Sequence, residues 1–299
     1  MDRKLISQFF HRNLPQDMEQ CIELFSIFGG FDNVIDVDQE LSSLIQTHIL
    51  NRFTEHHTHI HSLLEGNPLY AKLLHAISVG DRREDSAFRR AHIGKEKGKE
   101  AFEYLRHIGY LQREYSREIP PLKIYPKQKF KKEVERHRIS HKLRFTTPFL
   151  RFWFAFVTPF YDTIIQVETK YFYKNFHQHY NAFVGYIFEE LCDQFIYDEL
   201  SIRFNDIPVE SGSYWNREIE IDLLCDTLKG ECWIGECKWT NHKRNKKELR
   251  HLEEKWTKLS LHPDKIFLFS KHGFSNELLS LKLPNLYLFN AEDLEPLTR

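Results

Sequence analysis

Apolar residues recur at helical spacing through most of the first half of the chain and alternate with polar ones through much of the last third. The pattern predicts helices first and a sheet later. Leu41, Leu44, Ile45, Ile49 and Leu50 form one helical stripe that continues to Phe53. Upstream, Phe28-Gly29-Gly30-Phe31-Asp32-Asn33 marks a turn between helix-like segments, so residues 1–66 read as a small helical unit. A second block opens at Asn67-Pro68, with proline near the first helical position. Leu69, Leu73, Leu74 and Ile77 form its stripe, and Gly80 ends it. Short helices are expected over 85–91 and 95–107, then extended segments over 110–119 and 141–145.

Three short helices followed by a strand pair is the order of a winged helix-turn-helix, here 67–148. The run Phe149 to Val157 is too aromatic to face solvent and reads as a buried connector, 149–175. Ala182, Val184, Ile187, Phe188, Leu191, Phe195 and Ile196 then predict a long amphipathic helix. Strands are expected over 207–210, 218–225, 231–239, 265–270 and 286–289, with a charged helix over 246–261 and a short one near 275–279. The order αβββαβ makes 176–299 a compact α/β domain.

The length of 299 residues suits about two domains at roughly 100–200 residues each. The longest apolar runs fall short of the roughly 20 residues a bilayer crossing needs, and Met1-Asp2-Arg3-Lys4 leads into no apolar signal core. A soluble, unexported protein in the cytoplasm, with no membrane partner, is expected. Five cysteines without a C-x-x-C spacing fit reduced thiols better than a disulfide framework or a zinc knuckle. The formal net charge of −1 hides segregation: residues 1–66 carry ten acidic and four Lys/Arg side chains, whereas 122–144 carry nine Lys/Arg and two Glu. Lys123, Lys127, Lys129, Lys131, Lys132, Arg136, Arg138 and Lys142, interleaved with Tyr125 and Phe130, suit phosphate contact with stacking and point to DNA. Because backbone contacts carry no sequence information, affinity without sequence readout is the expectation.

The sharpest chemical feature is Glu218-Ile219-Glu220-Ile221-Asp222, then thirteen intervening residues, then Glu236-Cys237-Lys238. In a strand, alternate residues share a face, so Glu218, Glu220 and Asp222 should project together, as should Glu236 and Lys238. Carboxylates converging on one point repel unless a cation neutralises them, and a few oxygen ligands open to water suit Mg²⁺. The chemistry implied is phosphodiester hydrolysis. Hairpin geometry sets a condition. A two-residue loop Lys229-Gly230 would turn Asp222 away from Glu236. A three-residue loop Leu228-Lys229-Gly230, with Gly230 left-handed, pairs them on one face. The odd-numbered loop is therefore predicted.

These residues, preceded by a helix carrying Phe188-Glu189, resemble the PD-(D/E)xK nuclease superfamily, with its restriction-endonuclease-like αβββαβ core. More narrowly, Gly185 to Glu189, Trp215 before Glu220-Ile221-Asp222, and Gly235 to Trp239 are similar to the nuclease-like C-terminal domain of archaeal-type, AAA-like P-loop ATPases. His141 to Phe156 resembles the winged-helix segment of those proteins, and Phe25 to Phe31 looks like the end of their ATPase lid. The resemblance implies Asp222 and Glu236 as metal ligands, the Cys237 carbonyl as a third, and Lys238 as the water-orienting or charge-stabilising lysine. Glu189 would be a further ligand or water-binding acid, and the cofactor Mg²⁺ or Mn²⁺. Glu220 is either an acid supporting the ligands or a solvated strand residue.

The ATPase core itself is missing. Gly94 to Glu100 has three residues between its glycines, ends in Glu and follows a helix, so it is no phosphate loop. ATP-driven activity is not expected unless a partner ATPase supplies it. Glu55-His56-His57-Thr58-His59-Ile60-His61 reads as a polar helix face, since zinc would want a third or fourth ligand. The leading expectation is a metal-dependent DNA endonuclease docked through a winged helix. A homodimer would suit duplex cutting. The alternative is a catalytically inactive DNA-binding or regulatory protein that assembles with an ATPase partner.

Overall fold

The computed structural model describes residues 2–120, 125, 128–130, 132 and 139–299. Its first helices are α1 (Lys4–Asn13) and α2 (Met18–Phe28), the latter capped by Asp17, which accepts from the Gln20 N–H. The stripe that begins at Leu41 is divided among α3 (Leu41–Ile45), a wider π-helical turn (Gln46–Leu50) and α4 (Phe53–Leu63). Helix α5 (Pro68–Val79) starts as its sequence predicts: the Asn67 side chain accepts from Leu69 N–H, Pro68 follows, and Gly80 closes the helix. Then come α6 (Glu84–Ala91), α7 (Lys95–His107) and two antiparallel strands, β1 (Leu111–Glu114) and β2 (Lys142–Phe145), with Leu111 opposite Phe145.

Strand β1 is shorter than the expected 110–119. The chain beyond it binds a different sheet: the Arg117 guanidinium donates to the carbonyls of Gly212 (3.0 Å) and Leu224 (2.7 Å). After β2 the aromatic run forms α8 (Pro148–Phe152) and a π-helical turn (Trp153–Val157), buried from Phe152 through Val157. Then α9 (Tyr161–Ile165) leads to the 26-residue α10 (Lys170–Phe195). Helix α10 begins inside the expected connector, because Phe172 and Phe176 extend its apolar face back onto Phe152 and Phe156.

A short helix α11 (Ser201–Phe204) precedes a five-stranded mixed sheet. Its strands are β3 (Pro208–Trp215), β4 (Glu220–Thr227), β5 (Cys232–Lys238), β6 (Lys265–Ser270) and β7 (Leu286–Asn290), in spatial order 3-4-5-6-7. The β3–β4 and β4–β5 pairs are antiparallel, whereas β5–β6 and β6–β7 are parallel. The first parallel crossover is α12 (Lys246–Lys258) and the second includes the short α13 (Asn276–Leu279). The molecule is thus a helical N-terminal region joined to a C-terminal α/β domain.

One face of the sheet packs on α10, through residues such as Phe188, Cys237 and Phe267. The other holds Ile221, Ile234, Leu252, Ile266 and Leu268 beneath α12. The first of these cores is continuous from Ile6 to Leu297, so it crosses every boundary expected from the sequence. Each buried Leu, Ile or Phe contributes on the order of 1.5–3 kcal/mol, which makes the shared core the main tie between helical region and sheet. Among the described residues no helix is long and apolar enough to cross a membrane.

Candidate active site

The hairpin between β4 and β5 sets the site. Leu223 pairs with Gly235 and Asp226 with Cys232, so the same register places Asp222 opposite Glu236. Thr227 N–H donates to Glu231 O (3.1 Å) and Gly230 N–H to Thr227 O (3.0 Å), which closes a three-residue loop with Gly230 at φ +81°. That is the odd-numbered loop predicted from the sequence. Gly235 is fixed by close packing: a Cβ there would lie 3.1 Å from both Leu223 Cδ1 and the Phe267 carbonyl oxygen.

Asp222, Glu236 and Lys238 meet on one face. Lys238 Nζ lies 2.7 Å from Glu236 Oε1 and 3.5 Å from Asp222 Oδ2, and Asp222 Oδ2 also accepts from the Cys237 N–H at 2.9 Å. Cys237 contributes that N–H, while its thiol turns into the core beside Cys192. Glu189 on α10 and Asp222 line one cavity of about 250 Å³, together with Arg82, Arg144 and Ser211. The structure thus brings together all four residues expected to carry chemistry.

Their electrostatics show an excess of acid. Burial, and then the Asp222 charge, push the Glu189 carboxyl up to about 8, against the opposing pull of Arg82 and Lys238. Asp222 is also raised, by burial first and Glu236 second, although Lys238 and the Cys237 N–H oppose the rise. For Lys238, burial works against the ammonium, but Asp222 and Glu236 outweigh it and hold its pKa above the ordinary lysine value.

Sequence reasoning missed Lys255. From α12 its ammonium reaches Glu236 Oε2 at 2.6 Å, so each oxygen of Glu236 meets a lysine. A signal was present: Lys255 interrupts the stripe Leu249, Leu252, Trp256, one turn beyond the fully buried Leu252. Arg82 was also missed. It lies 2.8 Å from Glu114 Oε2 and 3.0 Å from the Tyr186 hydroxyl, which donates to Glu190 at 2.6 Å.

Two expectations are corrected. Glu218 does not share the strand face with Asp222: the Asn216 side chain accepts from both Glu218 and Ile219 N–H, forming a turn that delays β4 until Glu220. Lys142, expected on the exposed basic track, is 1% exposed. Its ammonium lies 2.5 Å from Glu220 and 4.4 Å above the Trp215 ring, and Trp215 Nε1 donates to Ser140 O. Glu220 is thereby paired as a structural anion. Lys129 and Lys132 are exposed, while Lys123, Lys127, Lys131, Arg136 and Arg138 lie outside the described residues.

A divalent cation is the group the resemblance implies. Among the described residues no group of three or more His, Cys, Asp or Glu side chains is arranged to hold a metal, and the histidines of α4 form none: His57 and His61 stack at 5.4 Å. The donor set on β4 and β5 is two carboxylates that share the Lys238 ammonium, with Lys255 from α12 on the second oxygen of Glu236. Such a pair suits a hydrated Mg²⁺ whose remaining positions are filled by water and substrate oxygens.

A family model, DUF234, described as archaea bacterial proteins of unknown function, matches residues 153–260. The match spans α10, β3, β4, β5 and α12, and so includes Glu189, Asp222, Glu236, Lys238 and Lys255. No curated protein and no solved structure matches the chain.

Proposed function

We propose that the protein is a metal-dependent nuclease of the PD-(D/E)xK kind that hydrolyses phosphodiester bonds in DNA, with the helices α5 to α7 and the β1–β2 pair acting as a winged-helix docking module. The observation that carries the reading is the Asp222–Lys238–Glu236 constellation, with the Glu189 carboxyl raised to about 8 beside it. A buried excess of carboxylate destabilises a fold and is retained where a cation or proton is to be handled. Asp222 and Glu236 would hold Mg²⁺ or Mn²⁺, which when bound supplies charge neutralisation at the phosphodiester and water activation. Lys238, from the same strand face, orients the attacking water or stabilises charge developing on the phosphate. Glu189 holds a proton near neutral pH and can exchange it within the site. Exposed Lys129 and Lys132 suit the DNA backbone.

A second reading has its own support. Both Glu236 oxygens are already bonded to lysines, as expected of a carboxylate kept for folding in a noncatalytic, DNA-binding or regulatory protein that assembles with an ATPase partner. One assay separates the two: linear, supercoiled, single-stranded and branched DNA incubated with Mg²⁺ or Mn²⁺, and with EDTA as control. Metal-dependent cleavage supports the nuclease. Salt-sensitive binding without cleavage of any substrate supports the regulatory protein.

A further inference from the structure

A second cavity, of about 640 Å³, opens between α5, the aromatic turn after α8, and α10. Its volume lies within the range of small-ligand pockets. Phe156, Phe160 and Phe183 give it an apolar wall. Its charged lining mixes Arg82, Arg90 and Arg151 with Asp81, Glu189 and Glu220, of which Arg82 is paired with Glu114 and Glu220 with Lys142. Glu189 lines both this cavity and the smaller one that holds Asp222, so the two adjoin at the candidate active site.

Arg151 is the unusual member. It is 9% exposed, and among the described residues it forms no ion pair, Glu189 and Glu190 acting on it only at longer range. Among the described residues its guanidinium makes one hydrogen bond, to the Phe183 carbonyl (2.9 Å), and it sits 4.2 Å from the centroids of both the Phe183 and Tyr186 rings. The rings attract the cation but do not neutralise it. Burial first, with the nearby Arg82 charge, lowers its pKa to about 10, although Tyr186, Glu190 and Glu189 pull the other way. A buried cation that these longer-range carboxylates only partly compensate is costly, and an anion entering the cavity would reduce the cost. Arg90 at the rim is exposed and makes no hydrogen bond or ion pair among the described residues, so it is free to take part.

We propose that this cavity binds a nucleotide through its phosphate, with Arg151 and Arg90 holding the anion and the base resting against the Phe156–Phe160 wall. A guanidinium fork matches phosphate geometry, and an aromatic wall accepts any base. The nucleotide could be supplied free or as the phosphorylated end of a strand presented to Asp222 and Glu236. The strand-end version rests on the nuclease reading, whereas the pocket does not.

The test is made on the full chain in EDTA, so binding is read without cleavage. dAMP and deoxyadenosine are titrated by calorimetry, and a short oligonucleotide with a 5′-phosphate or a 5′-hydroxyl by fluorescence anisotropy. The expected result is dAMP binding about tenfold or more tighter than deoxyadenosine, weakened about fivefold by Arg90→Gln and at least tenfold by Arg151→Gln. Preference for the phosphorylated oligonucleotide assigns the strand end, while equal binding of the two oligonucleotides with dAMP still bound assigns the free nucleotide. Equal binding of dAMP and deoxyadenosine overturns the proposal. So does an Arg90→Gln protein that binds dAMP like the wild type, a variant at an exposed position that keeps the test valid if Arg151→Gln fails to fold. Binding in EDTA without cleavage in Mn²⁺ would remove the nuclease reading and leave the pocket; cleavage without phosphate-dependent binding would do the reverse.

Discussion

Two charged clusters sit on neighbouring parts of β4 and differ in how their charges balance. Where the β1–β2 pair meets the sheet, charges are matched one to one: Arg82 with Glu114, and Lys142 with Glu220. One strand-turn further on, Glu189, Asp222 and Glu236 share Lys238 and Lys255, and burial first, then the Asp222 charge, raises the carboxyl of Glu189. Matched charges in a packed junction hold parts of a fold in register. A surplus of buried carboxylate weakens the fold and is kept for what it can bind or do.

The comparison is sharpest for the two lysines. Lys238→Ala is expected to slow Mn²⁺-dependent cleavage by the folded fraction about a thousandfold, equivalent to about 4 kcal/mol of transition-state stabilisation, and also to lower stability by about 3 kcal/mol because Asp222 and Glu236 lose their shared counter-ion. Lys142→Ala should cost stability alone: it removes a buried stem from above Trp215 and costs about 3 kcal/mol in urea unfolding, with cleavage by the folded fraction nearly unchanged. Lys142→Met should recover most of that loss, because Glu220 is 51% exposed and can return to water. Loss of cleavage in Lys142→Met at full folding would merge the two clusters into one functional unit.

Lys255→Ala should have a smaller effect, slowing cleavage about tenfold, since Lys238 still bonds the other Glu236 oxygen. The pH dependence of stability is the mildest test. Glu189 is raised in the folded chain relative to an ordinary glutamate, so the folded state binds the extra proton. Its stabilising contribution is complete below about pH 4.5 and is lost as pH rises towards 8. Urea midpoints of the wild type should therefore fall across that window relative to Glu189→Gln, and parallel curves would show that Glu189 titrates normally.

Much of this was legible in the sequence where local rules govern. The Asn67-Pro68 helix start, strand β6 and the Leu228-Lys229-Gly230 loop all follow from neighbouring residues, and the loop alone determines that Asp222 faces Glu236. Partners distant in sequence were not legible. Lys142 looked like one more lysine in a basic run, and only the approach of Glu220, 78 positions away, turns it inward. The burial of Arg151 between the Phe183 and Tyr186 rings depends on the packing of α10 against the aromatic turn, and the late start of β4 on one side-chain turn at Asn216.

The central claim rests on Asp222, the residue that joins Glu189, Lys238 and the Cys237 N–H. Its most direct test is the single-turnover rate of Mn²⁺-dependent DNA cleavage by Asp222→Asn beside the wild type, at matched folded fraction. The account predicts a loss of about a thousandfold or more. Cleavage by Asp222→Asn at the wild-type rate would contradict it.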